Sequence, residues 1–330
     1  MFSQIIPDSL SANSIQNILE KKSAQAFAPS NIALIKYWGK RDEFLNLPLT
    51  DSLSISLDLL NLGTQTEIKI SHKDQKPDSL SLNNQELNLS SPFAQRLFNF
   101  LKPFRFNLFS FQIKTYNTVP TAAGLASSAS GYAALVKALD LLFDFNLNTR
   151  DLSILARLGS GSAARSIETG FVHWHAGILN NGMDSYAEKI ADPWPELAIH
   201  VLLINSEEKK ISSREAMKIT KETSKIYKTW PESNQKDLHK ILTAIHTQDF
   251  KLLGDISEQN ALLMHETMAD SQPSICFSTP ETLRLREQIW KLRSEGLNIY
   301  FTQDAGPNLK LIYEKKDLDL LKNIFKAYWL

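Results

Sequence analysis

Residues 120–131 read Pro-Thr-Ala-Ala-Gly-Leu-Ala-Ser-Ser-Ala-Ser-Gly, and what lies on either side of them sets the fold class. Upstream, Phe111–Tyr116 has the content of a strand. Downstream, Ala126–Phe143 is small and apolar at its start and helical in period. A strand therefore feeds a loop of tiny side chains, and the loop feeds a helix. Tiny residues let a ligand approach the backbone closely, and a helix start offers unpaired N–H donors and positive dipole. Ser127 and Ser128 add hydroxyls able to cap the helix, hold a phosphate oxygen or ligate Mg²⁺. An N-capped core helix packed through small residues fits equally well from physics alone. The G-x-x-x-x-G-K-[ST] pattern is absent, so this is not a Walker-type loop.

The texture of the chain changes at this loop. Before it, the spacing predicts a short amphipathic helix over Ser11–Phe27 and a buried strand over Asn31–Tyr37. Leu53, Ile55 and Leu57 alternate with Ser54, Ser56 and Asp58, the pattern of a half-buried strand, and Thr66, Ile68 and Ile70 alternate likewise. Asn83-Asn84 suggests a hairpin turn, Pro92–Leu101 a helix, and Phe106–Lys114 a return to strand. After the loop come a helix over Asp151–Leu158 with Asp151 at or near its N-cap, an aromatic strand Phe171–His175 and a strand Leu197–Asn205. Helices dominate from about Ser213 to Leu263. A helix over Pro280–Ser294, strands at Leu297–Thr302 and Leu309–Tyr313, and a helix from about Asp317 close the chain. Strands and helices come in blocks, which favours α+β over a doubly wound sheet. Pro193 and Pro195 mark a domain boundary, giving an N-terminal domain of residues 1–192, whose first 22 form an extension, and a C-terminal domain of 193–330. No internal repeat or low-complexity tract is visible.

Composition narrows the class. In 330 residues, 43% are hydrophobic and 22% charged, which excludes wholesale disorder. Thirty-six basic residues balance 36 acidic ones, so the basic excess expected of a nucleic-acid binder is missing. The single cysteine, Cys276, excludes an intrachain disulfide and a cysteine-based zinc cage. The N-terminus lacks a secretory pattern, and no apolar stretch approaches the ~20 residues that span a bilayer. A soluble, cytoplasmic protein with no membrane or nucleic-acid partner is expected.

Several other stretches could carry chemistry. Gly159-Ser160-Gly161-Ser162-Ala163-Ala164-Arg165 offers an anion nest with an arginine fork just beyond, or a helix C-cap and connector. In Lys36-Tyr37-Trp38-Gly39-Lys40-Arg41, alternation from Leu34 sends Lys36 inward, and burying a lysine is costly unless it is paired. Lys209-Lys210-Ile211-Ser212-Ser213-Arg214 is a charged loop with a helix cap or a second phosphate clamp. Asp304 follows a strand and precedes a Gly-Pro turn, a place where catalytic groups sit but also ordinary turn chemistry. His173 and His175 share a strand face, as a metal pair would. No third ligand lies near them in sequence, so they read as packing or surface histidines. Cys276 has no nucleophile context.

Taken together, NIALIKYWGKRD at 31–42, the run Leu45–Ser54, Pro120–Gly131, Gly159–Arg165 and DAGPN at 304–308 resemble, in order, the motifs of the mevalonate diphosphate decarboxylase family, a branch of the GHMP kinase superfamily. The first and last are specific to this branch; the 120–131 loop alone would indicate the superfamily. The resemblance implies a two-lobed α+β GHMP-kinase fold, strand-rich then helix-rich, with the active site in the cleft between lobes. It implies ATP and Mg²⁺, and conversion of mevalonate 5-diphosphate to isopentenyl diphosphate, CO₂, ADP and phosphate. By motif match, Asp304 is the catalytic carboxylate at the 3-hydroxyl, Lys36 its neighbour and Arg165 the grip on the substrate carboxylate. Asn31, Tyr37, Lys40, Ser160, Gly161, Ser162, Ser213 and Arg214 fall on substrate-binding positions. Pro120, Ala123, Gly124, Leu125, Ala126, Ser127 and Ser128 fall on the ATP phosphates, with Ser127 or Ser128 toward Mg²⁺. A homodimer is the expected assembly.

Three rivals stand beside this reading: a 3-kinase acting on mevalonate or its monophosphate, a decarboxylase preferring the monophosphate, and a non-catalytic sensor of the same fold. Lys36, Arg165 and Asp304 argue against the sensor, and the donors around Lys40 and Arg214 argue for the larger anion. The chain departs from the family pattern at Ala164, Glu168-Thr169, His173 and Gln303. Standing between a strand and a Gly-Pro turn, Asp304 is expected to be placed by backbone more than by its own charge.

Overall fold

The structure, a computed structural model, describes residues 2–118, 127–205 and 211–330. Helix α1 (Ala12–Lys21) is capped by Ser11, whose side chain accepts from the Ser14 N–H, and it ends where Lys22 turns left-handed at φ 60°. The helix expected to reach Phe27 is thus cut short. Ser23–Pro29 is strand β1, because exposed Gln25 and Phe27 alternate with more buried Ala24, Ala26 and Ala28, a period of two rather than 3.6.

Among the described residues, the first sheet runs β1–β6 (Gly63–His72)–β9 (Phe109–Asn117)–β7 (Ser79–Leu82)–β8 (Gln85–Glu86). It is antiparallel except between β7 and β9. Asn83 and Asn84, both at positive φ, make the expected β7–β8 turn. Helices α2 (Pro92–Leu101), α3 (Ser127–Phe143) and α4 (Thr149–Gly159) belong to this part, and α3 lies against β1 and β6 over a core that includes Ile68, Phe111, Leu135 and Leu139. Asn148 caps α4, its Oδ1 accepting the Asp151 N–H at 2.9 Å, and Asp151 lies near the cap as expected, in the first turn.

The second sheet is wholly antiparallel, in the order β11 (Ala187–Ala191)–β10 (Phe171–Trp174)–β5 (Ser52–Ser56)–β2 (Asn31–Ile35). Strand β5 was expected to have one wet face, yet all five residues are buried. Its serines serve inside instead. Ser52 accepts from Arg165, and Ser56 accepts the Gly170 N–H at 2.7 Å. The third sheet, β12 (Leu197–Leu202)–β14 (Leu309–Glu314)–β13 (Ile299–Gln303), carries α8 (Pro280–Ser294) on the β13 side, and α9 (Leu318–Ile324) shares its core. A short pair, β3 (Lys40–Asp42) with β4 (Leu47–Pro48), and helices α5 (Ser213–Thr223), α6 (Trp230–Thr247) and α7 (Phe250–Ala269) complete the chain. No helix among the described residues is long and apolar enough to cross a membrane.

One apolar core joins the two parts. Ile32, Leu34 and Leu53 pack with Leu253 and Ile256 of α7 and with Tyr300 and Ile312 of the third sheet. Beside it runs a polar seam. Asn260 on α7 accepts the Lys36 backbone N–H at 2.8 Å and donates to Asn234 Oδ1 at 3.0 Å and Asp237 Oδ2 at 2.9 Å. Asn234 in turn donates to Thr50 and to the Asp51 carbonyl. Asn260→Leu fits the space but leaves a buried N–H, one buried acceptor on Asn234 and a half-buried one on Asp237 unmatched, so urea unfolding should show a loss of about 1–3 kcal/mol. A change below about 0.5 kcal/mol would mean that the seam is not structural.

Candidate active site

The end of β2 meets the end of β13 at a carboxylate gripped from two sides. Lys36 Nζ is 2.8 Å from Asp304 Oδ1, and Lys310 Nζ is 2.9 Å from Asp304 Oδ2. Both lysines are at most 2% exposed. Lys36 also donates to the Ala33 carbonyl at 2.7 Å. Burial pushes the Lys36 ammonium down to about 8, against the upward pull of Asp304. Burial works to raise the Asp304 carboxyl, but Lys310 and Lys36 together hold it well below the usual carboxylate range. Asp304 is therefore an anion placed by two cations as well as by its turn, so its charge counts for more than the expectation of placement mainly by backbone allowed.

Arg165 lies beside this triad, 2% exposed, with Nη1 donating to Ser52 Oγ at 2.6 Å and the guanidinium 5.7 Å from the Trp174 ring centre. Burial lowers it only to about 10, so it stays charged. Its Nε and the Tyr37 hydroxyl are buried with no hydrogen-bond partner among the described residues. Burial raises the Tyr37 hydroxyl above its ordinary value, so it is a neutral donor. Tyr37 rests edge-on against Trp174, ring centres 4.8 Å apart. Gly161 has to be glycine here, since a Cβ would lie 2.7 Å from the Tyr37 oxygen.

These groups line a cleft of about 400 Å³. It gathers Asn31, Lys36, Tyr37, Lys40, Ser128, Ser160, Gly161, Ser162, Arg165, Ser213, Arg214 and Asp304 from the sequence-based candidates. Asn31 is tied to Ser166 Oγ at 2.8 Å. The Lys40 ammonium is held by Glu43 and Asn46 at 2.8 and 2.9 Å. Ser212 caps α5, which sets Ser213 and exposed Arg214 at the rim. Ser128, in the first turn of α3, faces Ser160 with 3.5 Å between hydroxyls. Pro120, Ala123, Gly124, Leu125 and Ala126, like Lys209 and Lys210, lie outside the described residues, as does the Ser127 side chain. Arg41 turns from the cleft toward the Leu179 carbonyl at 3.0 Å, and Cys276 is exposed elsewhere.

Three lining or supporting groups escaped the sequence reading. Lys310 has the same signal as Lys36, a lysine inside an apolar strand, but without the cluster of cations that follows Lys36. Arg96 sits on the exposed face of α2, where an arginine is ordinary, yet it lines the cleft. His265 on α7 donates to the Asp304 carbonyl at 3.2 Å; burial, then Arg286 and Lys36, push its ring down to about 3, so it is neutral. Gln303, the departure before Asp304, is buried and locked by Arg286 and by the Gly306 carbonyl at 2.7 Å, which leaves Asp304 free to face the cleft.

A second chamber of about 250 Å³, mostly apolar, opens beside the cleft between β9, α2 and α3, sharing Phe93, Ser128 and Tyr132 with it. An apolar slot joined to a cationic cleft at the first turn of a 17-residue helix suits a base with its phosphates. Ser128 and the start of α3 are the groups there able to hold a phosphate-bound Mg²⁺.

The charge balance can be read directly. In an NMR titration of ¹³Cε-labelled lysines, Lys36 should titrate near pH 8, against 10.5 for an ordinary lysine. Asp304→Asn removes the anion that favours its protonated form and should lower the midpoint further. A midpoint near 10 in the unsubstituted protein would contradict the buried geometry.

Comparison with known proteins gives the family. Residues 28–187 match the family model for the diphosphomevalonate decarboxylase-like N-terminal domain, and residues 199–330 match that for the mevalonate 5-diphosphate decarboxylase C-terminal domain. A diphosphomevalonate decarboxylase of Gibberella zeae is 36% identical over 321 residues, covering 92% of this chain and 84% of that protein. The mevalonate diphosphate decarboxylase structure from Staphylococcus aureus superposes with a TM-score of 0.86 at 38% identity, covering 93% of this chain and 92% of that one. A solved complex of MDDEF with MVAPP, AMPPCP and magnesium superposes with a TM-score of 0.84 at 41% identity, covering 93% of each chain. The chain belongs to the diphosphomevalonate decarboxylase family.

Proposed function

We propose that the cleft takes mevalonate 5-diphosphate beside Mg²⁺-ATP and yields isopentenyl diphosphate, CO₂, ADP and phosphate. One observation carries the reading most: three buried cations, Lys36, Lys310 and Arg165, surround one carboxylate, Asp304, which among the described residues leaves excess positive charge and unpaired donors where a polyanion would sit. The nucleotide supplies the phosphoryl group that makes the tertiary 3-hydroxyl a leaving group, and Mg²⁺ neutralises phosphate charge. Pro120, Ala123–Ala126, Ser127 and Ser128 are assigned to the nucleotide phosphates.

Asp304 accepts the 3-hydroxyl proton in a hydrogen bond and aims the oxygen. Held so firmly as an anion, it is a weak base, so alignment is its larger contribution; a loose phosphoryl-transfer transition state asks little of a base. Lys36 and Lys310 keep the carboxylate pointed, and Lys36 retains a donor for incoming oxygen. Arg165 grips the substrate carboxylate with its free edge while Ser52 holds its other side. Departure of the 3-phosphate builds positive charge at C3, and loss of CO₂ from the held carboxylate relieves it as a double bond. Tyr37, Ser160, Gly161, Ser162, Ser213 and Arg214 face the diphosphate; Lys40 joins them by exchanging Glu43 for phosphate.

The presence of the full charged set weighs against a non-catalytic sensor, and Arg214, which has no ion-pair partner among the described residues, weighs for the diphosphate over the monophosphate. The division at 192/193 is supported by family matches that end at 187 and resume at 199. The same reading assigns the enzyme to the cytoplasm as a homodimer.

Asp304→Asn should slow ADP and CO₂ formation together by roughly 10²–10⁴-fold, since decarboxylation waits for the phosphorylated alcohol. ADP release that persisted while CO₂ stopped would assign Asp304 to the second step only. Arg214→Ala should reduce kcat/KM for mevalonate 5-diphosphate about tenfold, the loss of one charge-assisted contact. An unsubstituted enzyme with equal kcat/KM for mono- and diphosphate would remove the diphosphate reading, and ADP without CO₂ would make it a kinase.

A further inference from the structure

A second cluster of ionisable groups stands apart from the cleft, on the sheet that carries Arg165's partner Ser52. His173 lies on β10, His175 just beyond its end, and Asp51 just before β5. Asp51 Oδ2 is 2.8 Å from His173 Nε2 and 3.8 Å from His175 Nδ1, the two imidazole centres are 4.0 Å apart, and all three donor atoms fall within 4.8 Å of one another.

The His173–Asp51 contact alone would be an ordinary hydrogen bond. The orientation of His175 is what points further. Its Nδ1 turns toward Asp51 at a distance too long for a hydrogen bond, while its Nε2 is 2.8 Å from Glu188 Oε1 on β11. A ring whose outer nitrogen donates to a carboxylate keeps a lone pair on the inner one, the arrangement that orients histidine toward a metal. Asp51 is oriented in the same way: its Oδ1 accepts the Ala176 N–H at 2.8 Å, which leaves Oδ2 for the centre.

Distances and charge agree. Ligand atoms at ~2.0–2.1 Å around a tetrahedral ion stand about 3.3 Å apart. The two Asp51 edges, 2.8 and 3.8 Å, bracket that value, and with all three ligand atoms within 4.8 Å of one another, rotation of the two imidazoles would close the shell. Asp51 and Glu188 bring two carboxylates to the cluster, charge that a divalent ion would offset. His173 is buried, whereas the Asp51 and His175 side chains are each about a third exposed, which provides a route from solvent and room for a water ligand. Two nitrogens and one oxygen suit zinc-class ions, not Mg²⁺, which prefers an all-oxygen shell.

We propose that Asp51, His173 and His175 bind one divalent transition-metal ion, with Zn²⁺ the best fit, and that Glu188 orients His175 from behind. The ion would brace the junction between β5 and β10. Asp51 adjoins Ser52, which seats Arg165, so occupancy would stiffen the cleft wall without entering it.

The test uses untagged full-length protein stripped with a chelator and dialysed. Titration with Co²⁺ should give saturable visible d–d absorption at one equivalent, abolished by Zn²⁺ and unaffected by a large excess of Mg²⁺. Zn²⁺ should raise the melting temperature. His173→Gln and His175→Gln should weaken binding tenfold or more, and Glu188→Gln, at an exposed strand edge where folding is not at risk, by roughly 10–100-fold. Cys276→Ser should bind like the parent. The proposal fails if no one-to-one binding tighter than the millimolar range is seen. It fails equally if the histidine variants, shown folded by their metal-free melts, and Glu188→Gln bind as the parent does, or if loss of Cys276 removes the binding.

Discussion

Two ammonium groups in a protein interior need a counter-charge within a few ångströms, and here Asp304 serves both. Lys36 comes from the first part of the chain and Asp304 from the last, 268 positions away. The contact forms only when β2, α7 and the third sheet are packed together. A half-assembled arrangement would leave a lysine buried without its anion, at a cost of several kcal/mol. The packing of the two parts and the assembly of the charged centre are therefore one event, reinforced by the Asn260–Asn234 seam that ties the Lys36 backbone to α6 and α7.

The centre is not built for stability alone. One carboxylate faces three buried cations, and a guanidinium N–H and a phenol have no hydrogen-bond partner among the described residues. In an empty, purely structural core such groups are costly. They make sense where an anionic ligand completes the balance, and the surroundings are arranged to accept it: Gly161 allows Tyr37 to come close, Ser52 fixes Arg165, and neutral His265 holds the Asp304 backbone without adding charge.

Much of the frame was legible from local pattern. Helices α2 and α8 begin where Ser91 and Thr279 cap them and proline opens the first turn. Lys36 does turn inward as expected, although β2 itself is buried on both faces and slips register between Ala33 and Ile35, so the burial of the whole strand end and not alternation accounts for it. Misreadings arose where a local pattern has two solutions or where burial depends on what packs outside. The alanines of 24–28 suit helix or strand, and the first sheet chose strand. The serines of β5 read as a wet face, whereas Arg165 and the backbone near Gly170 fill their hydrogen bonds from within.

The sequence by itself determined the α+β class, the order of most elements and the motif residues that line the cleft. Those properties depend on periodicity, capping and residue type over a few neighbouring positions. Only the tertiary structure decided that Lys310 grips the second oxygen of Asp304, that Arg96 reaches the cleft, and that Asp51 supplies the third group beside His173 and His175. Each is a meeting of side chains from separate strands or helices, and its energy depends on distance in space, which spacing along the chain does not encode.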